Sequence, residues 1–132
     1  MFHYFQRKDG KQLAGGSIDG MIRLYDLETG AITATLEGHA MTIRSLAYSD
    51  DGNYLITGSD DCHVKIYEPN NAELISTLSG HSSSELSVAF SPDNKHFASR
   101  YMLLFNYSIE YMTMILTIIT IISLYVPKQF IR

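Results

Sequence analysis

A repeat of 42 residues constrains this chain more than any other feature. The stretch "GSIDGMIRLYD", Gly16 to Asp26, returns as "GSDDCHVKIYE", Gly58 to Glu68. The same offset relates "LEGH" at Leu36–His39 to "LSGH" at Leu78–His81, Asp19 to Asp61, Tyr25 to Tyr67 and Gly10 to Gly52. A third copy opens with "ELSVAFSPDNKHFAS", where Phe90 stands opposite Tyr48 and Asn94 opposite Gly52. A unit recurring at such a period is one supersecondary element that buries its apolar faces on its own neighbours.

Within each unit the signals are those of short strands. "IRSLAYS", "YLITGS", "HVKIYE" and "LISTLSG" are rich in β-branched and aromatic residues, the types that pack on a pleated surface. Between them "SDDGN" and "SPDNK" supply the Asp, Pro, Gly and Asn of tight turns. No convincing helical period occurs before residue 100. Four strands in each 42-residue unit make the pattern of a β-propeller blade.

Gly38-His39, then Asp61, then the aromatic–acidic pair Tyr67-Glu68 resembles the WD-repeat pattern, with Tyr where Trp is usual; Tyr25-Asp26 is the same pair one unit earlier. The resemblance covers Gly10 to Ser99. It implies an all-β, WD40-type β-propeller fragment with one full blade and parts of two more, the copies falling at about 1–38, 39–80 and 81–99. Within the family, the run from Leu36 to Ser99 is similar to the WD-repeat subunits of superkiller complexes. That similarity implies a non-catalytic scaffold, without cofactor or small-molecule ligand, in the nucleus and cytoplasm. Its partners would be other protein subunits, of helicase and helical-repeat type, in a complex acting on RNA or transcribing polymerase. The alternative within the same fold is a generic WD adaptor in signalling or ubiquitin transfer.

The resemblance also implies that His39, Thr57, Asp61 and Tyr67 form one hydrogen-bonded chain that holds the blade. The loop after Gly-His faces an end of the disc, which makes Met41, Thr42 and Arg44 the partner-contact candidates, with Ser83 and Ser84 in the next unit. Met and Arg are favoured at protein interfaces.

Asp60, Asp61, Cys62 and His63 stand in sequence and invite a metal reading. The first copy has Ile18, Asp19, Gly20 and Met21 at these positions. Only one Asp survives while the turn is kept, and neighbours on a strand point to opposite faces, so the four residues read as a turn. No nucleophile beside an activating base and no phosphate-binding Gly-rich loop supports catalysis.

Charge narrows the function further. Through residue 100 there are 8 basic and 13 acidic residues with no basic block, so direct nucleic-acid binding is not expected. The single cysteine excludes an internal disulfide, and "MFHYFQRKDG" lacks the pattern of a signal peptide. These features fit a reducing, intracellular compartment.

The repeat has flaws. Gly15 stands where Thr57 does, Glu85 where Ile43 does, Leu103 where Asp61 does and Ile109 where Tyr67 does. Residues 100–132 contain no Gly, Ala or Asp and form an apolar tail outside the family pattern. Tyr111–Val126 is an uncharged run of 16 residues, short of the roughly 20 that cross a membrane. We read the tail as non-coding sequence translated past an exon end, in preference to a membrane segment.

Overall fold

The computed structural model describes residues 3–79, 85–92, 94 and 97–101. Among them the chain forms ten strands and no helix. The first sheet contains β1 (His3–Gln6), β2 (Gln12–Gly16), β3 (Ile22–Asp26) and β4 (Ile32–Leu36), hydrogen-bonded in that order. The second repeats the arrangement with β5 (Ile43–Tyr48), β6 (Leu55–Ser59), β7 (His63–Glu68) and β8 (Glu73–Ser79). The third pairs β9 (Glu85–Phe90) with β10 (Phe97–Tyr101). All neighbouring strands run antiparallel.

The first copy is a complete four-stranded blade, not the partial one expected. The Arg7–Gln12 turn closes a hairpin through the Arg7 N–H, which donates to the Gln12 carbonyl at 2.8 Å. β1 then pairs along β2 from His3↔Gly16 to Gln6↔Leu13. The Gly38-His39 step lies between β4 and β5, in the connection between blades, so it is not part of the four strands of either sheet. β10 runs through Tyr101, two residues past the boundary read from the repeat at Ser99. Residues 102–132, most of the apolar tail, lie outside the described residues.

Backbone irregularities repeat with the sequence. A bulge at Ile43/Ser45 in β5 has its counterpart at Arg100/Tyr101, where Tyr101 pairs with Glu85 as Ser59 pairs with Ile43. The bulges at Leu24/Tyr25 and Ile66/Tyr67 are related in the same way. The Glu85 substitution therefore leaves the backbone register intact, because strand pairing is carried by main-chain groups.

β5 packs on β1 and β2, and β9 packs on β5 and β6. Side chains alternate across a strand, so the second sheet feeds two cores. Ile43, Leu46, Tyr48, Leu55 and Tyr67 meet Ala14, Ile22, Leu24 and Leu36 of the first sheet. Ala47, Ile56, Val64 and Ile66 face the other way, onto Val88 and Phe97. The Phe90 and Phe97 rings meet edge to face with centroids 6.1 Å apart, a favoured aromatic geometry.

The β2–β3 and β6–β7 turns show how the packing limits the sequence. Gly20 and Cys62, one repeat apart, have φ of 79° and 69°, a left-handed conformation that costs a side chain roughly 1–2 kcal/mol. A Cβ on Gly20 would also sit 2.0 Å from the His39 carbonyl oxygen. Gly20→Ala is therefore expected to lower the stability of the full chain by more than ~2 kcal/mol. Cys62→Gly should stay within ~1 kcal/mol of the parent, because lost strain and gained unfolded-state entropy offset each other. Urea unfolding of both variants checks this; a neutral Gly20→Ala would refute the close stacking of blade turn on loop.

Candidate functional site

The β4–β5 connection, residues 37–42, leaves the first sheet and enters the second. Gly38 is required there by close approach, since a Cβ would fall 2.4 Å from the Tyr67 hydroxyl. The imidazole of His39 is fully buried. Its Nδ1 lies 2.9 Å from Asp61 Oδ2 and its Nε2 lies 2.7 Å from Thr57 Oγ1.

Burial pushes the His39 pKa below its ordinary value, outweighing the Asp61 carboxylate, which acts to raise it. The ring is thus neutral near pH 7. Its one N–H points from Nδ1 to the carboxylate, and Nε2 accepts the Thr57 hydroxyl proton. Asp61 also accepts the backbone N–H of Ala40 at 3.1 Å and of His63 at 3.0 Å. Burial alone would raise the Asp61 pKa, but the hydrogen bonds from His39, His63 and Ala40 prevail and lower it.

Tyr67 departs from the expected chain. It is 1% exposed, and its hydroxyl makes no close hydrogen bond among the described residues. Burial pushes its pKa up to about 12, against a lowering contribution from the nearby Thr57. The close bonds run Asp61–His39–Thr57, and the Tyr67 hydroxyl approaches this series at Thr57 without a close bond of its own. Tyr67 serves the core with its ring, opposite Leu55 on β6.

In the first copy Asp19 has different partners. Hydrogen bonds from the Ser17 hydroxyl, Arg23 and the Met21 N–H hold its carboxyl well below the usual range. At Gly15, which replaces Thr57, the Tyr4 ring lies so close that a Cβ would come within 2.8 Å of it.

The contact candidates are placed unequally. The Met41 side chain is 52% exposed, while its carbonyl accepts the Ser59 hydroxyl at 3.1 Å. Thr42 is half-buried, and its carbonyl accepts the Asp60 N–H at 3.0 Å. Arg44 does not project as an isolated cation: its Nε and Nη2 donate to Asp60 Oδ2 at 2.8 and 2.6 Å. Ser83 and Ser84 lie outside the described residues.

The Asp60–His63 run is engaged as a turn. Asp60 binds Arg44, Asp61 binds His39 and the backbone, and Cys62 Sγ lies 3.7 Å from the Asp60 carbonyl. Among the described residues no three His, Cys, Asp or Glu side chains are grouped to hold a metal ion. Two features of the site escape sequence reasoning. One is the Arg44–Asp60 pair, which spans 16 residues without a motif. The other is Ile18, 63% exposed, whose signal is an apolar residue where the second copy has Asp60.

Known proteins share these repeats. The family model described as WD domain, G-beta repeat matches residues 30–68 and 72–100. Over 41 residues, 31% of this chain, identity is 46% to the WD repeat-containing protein SL1-17 of Schistosoma mansoni, covering 13% of that protein. The figures are the same for the WD repeat-containing protein VIP3 of Arabidopsis thaliana. Pre-mRNA-splicing factor PRP46 of Eremothecium gossypii is also 46% identical over 41 residues, which cover 31% of this chain and 10% of that protein. The match thus spans 13% or less of the length of each of these relatives.

Two outcomes test the site. Asp61→Ala strands the donors of His39, Ala40 and His63 and should cost on the order of 1–3 kcal/mol, whereas Tyr67→Phe removes a desolvated hydroxyl without a close bond and should cost less than ~1 kcal/mol or be stabilising. Thermal melts of the two variants that reversed this order would refute the assignment. Acid supplies the second test. The folded His39 resists protonation relative to the unfolded chain, so its contribution is complete above the ordinary pKa of 6.5 and is lost as pH falls through the lower folded value. Asp61 shifts downward too, adding a further loss below its ordinary 3.8. Melting temperature should therefore drop from pH 7.5 to pH 5, and His39→Gln should flatten that slope; an equal slope in the variant would exclude His39 as its source.

Proposed function

Because the chain belongs to the WD40 repeat family, whose repeats cover more than half of its residues, we propose that it is a scaffold segment that joins protein subunits and performs no catalysis. WD repeat proteins generally mediate protein–protein interactions. The observation that carries the proposal is the β4–β5 loop. Its backbone is tied to the second sheet through Ala40, Met41 and Thr42, and the first residue of β5, Ile43, is tied to the Ser17 carbonyl of the first copy, while the Met41 side chain stays open. A contact loop ordered in advance loses little entropy when a partner binds.

In its finer form the proposal assigns the chain to a multiprotein complex of the superkiller type, concerned with mRNA decay, and to a transcription elongation complex. It would work in the nucleus and the cytoplasm. Support comes from the resemblance over Leu36–Ser99 and from a relative whose name places it in pre-mRNA splicing. The acidic balance through residue 100 favours contact with RNA-acting proteins over contact with RNA itself.

Mass spectrometry of proteins co-purified with the endogenous product tests this reading. Helicase-type and helical-repeat subunits are expected, with recovery reduced several-fold by Met41→Asp. Recovery of ubiquitin-transfer or signalling proteins alone would refute the superkiller assignment, and insensitivity to Met41→Asp would refute the loop.

A further inference from the structure

The β2–β3 turn of the first sheet and the β4–β5 loop meet at one end of the sheets. Gly20 is seated against the His39 carbonyl, and the Ile43 N–H donates to the Ser17 carbonyl at 3.1 Å. Each of these two loops carries one large apolar side chain in the open, Ile18 at 63% and Met41 at 52% exposure. The other exposed large apolar residues among those described are Tyr4, Phe5, Ile32 and Leu74, on strands, and Leu27, in a turn at the opposite end.

Folding does not require an apolar residue at position 18. Its twin in the second copy is Asp60, in a turn of the same geometry. The two guanidinium groups of these segments, Arg23 and Arg44, are already paired. Arg23 donates to Asp19 Oδ2 at 2.9 Å and to the Ser17 hydroxyl at 3.2 Å, and Arg44 donates to Asp60. Each guanidinium is neutralised by a carboxylate of its own sheet. A ligand that engaged either guanidinium would have to displace its carboxylate, whereas an apolar ligand leaves both pairs in place and gains from covering the two side chains.

We infer that Ile18 and Met41 act together as a two-point apolar anchor for a segment of a protein partner that presents aliphatic or aromatic side chains and no charge at the contact. This deepens the scaffold reading above and rests on it. The two points are complementary in kind. Ile18 is β-branched and stiff at χ1, and Met41 is unbranched, polarisable and able to adapt its shape. The seam between their loops is hydrogen-bonded and close-packed, so their spacing is set before a partner arrives.

The test is selection of a displayed library of random 12-residue peptides on the full chain, followed by titration of the recovered peptides onto variants. Peptides rich in Leu, Ile, Phe or Met and poor in charge are expected. Ile18→Asp and Met41→Asp should each weaken their binding at least ~10-fold, with an unchanged far-UV spectrum. Ile18→Asp recreates the residue its twin already tolerates, so loss of fold is not the anticipated cause. Arg44→Ala should leave the affinity within ~3-fold, because that side chain is turned to Asp60. Recovery of charged peptides, or of peptides sensitive to Arg44 and indifferent to Ile18, would overturn the anchor while leaving a protein-binding surface in place. Recovery of no peptide would overturn both.

Discussion

The buried hydrogen bond between His39 and Asp61 holds the junction between the first two sheets. A carboxylate taken out of water costs several kcal/mol unless its oxygens are matched by donors. Asp61 is matched by His39 Nδ1 and by the N–H groups of Ala40 and His63. Those donors come from the connection between the sheets and from the β6–β7 turn, so the carboxylate joins segments that are 22 residues apart. Thr57 occupies the far nitrogen of the ring, and neutrality of the imidazole lets both contacts exist at once. Tyr67 divides its roles: its ring fills the core, while its hydroxyl makes no close hydrogen bond among the described residues.

The seams between sheets are fastened differently at their two ends. At the loop end, backbone groups and a buried side chain do the work. At the other end a part-buried bond from the Tyr48 hydroxyl to Gln12 Oε1 at 2.7 Å is joined by solvent-facing contacts: Lys8 reaches Asp50 at 2.8 Å, with side chains 70% and 45% exposed, and the Asp51 N–H donates to Asn94 Oδ1 at 3.2 Å. Exposed pairs of that kind contribute little on their own. The aliphatic layers of Ile22, Leu24, Leu55 and Ile56 therefore carry most of the adhesion, and polar groups at the rims fix how one sheet is set on the next.

Much of this is legible in the sequence because it is periodic. Strand alternation, the turns and the position of Asp61 recur in register, and period-2 patterning decides which core each residue of β5–β7 joins. The parts that escape depend on single exceptions to the period. β1 is hidden because "HYFQ" has no strong alternation and is made a strand by pairing with β2. Arg44 reads as a free contact, since nothing local indicates that Asp60 folds back onto it. The Tyr67 hydroxyl acquires an expected bond by analogy with Trp; a phenol and an indole place their polar hydrogens at different distances from the backbone, and a difference of that size decides whether a bond forms.

The β3–β4 turn differs from the other turns at its end of the sheets. Asp26 Oδ1 accepts the N–H groups of Glu28 and Thr29, the Gly30 N–H returns to the Asp26 carbonyl, and Leu27 is bonded to Lys11 of the same sheet. No heavy atom lies within 4 Å of a Cβ placed on Gly30. Its bonds close within one blade, so residues added there would lengthen the repeat in sequence without moving either seam in space. The 42-residue period is then a property of inheritance more than of mechanics: copies could drift apart in length at this turn and still stack, and a reporter or second domain grafted there would ride on the outside of the array without loosening it.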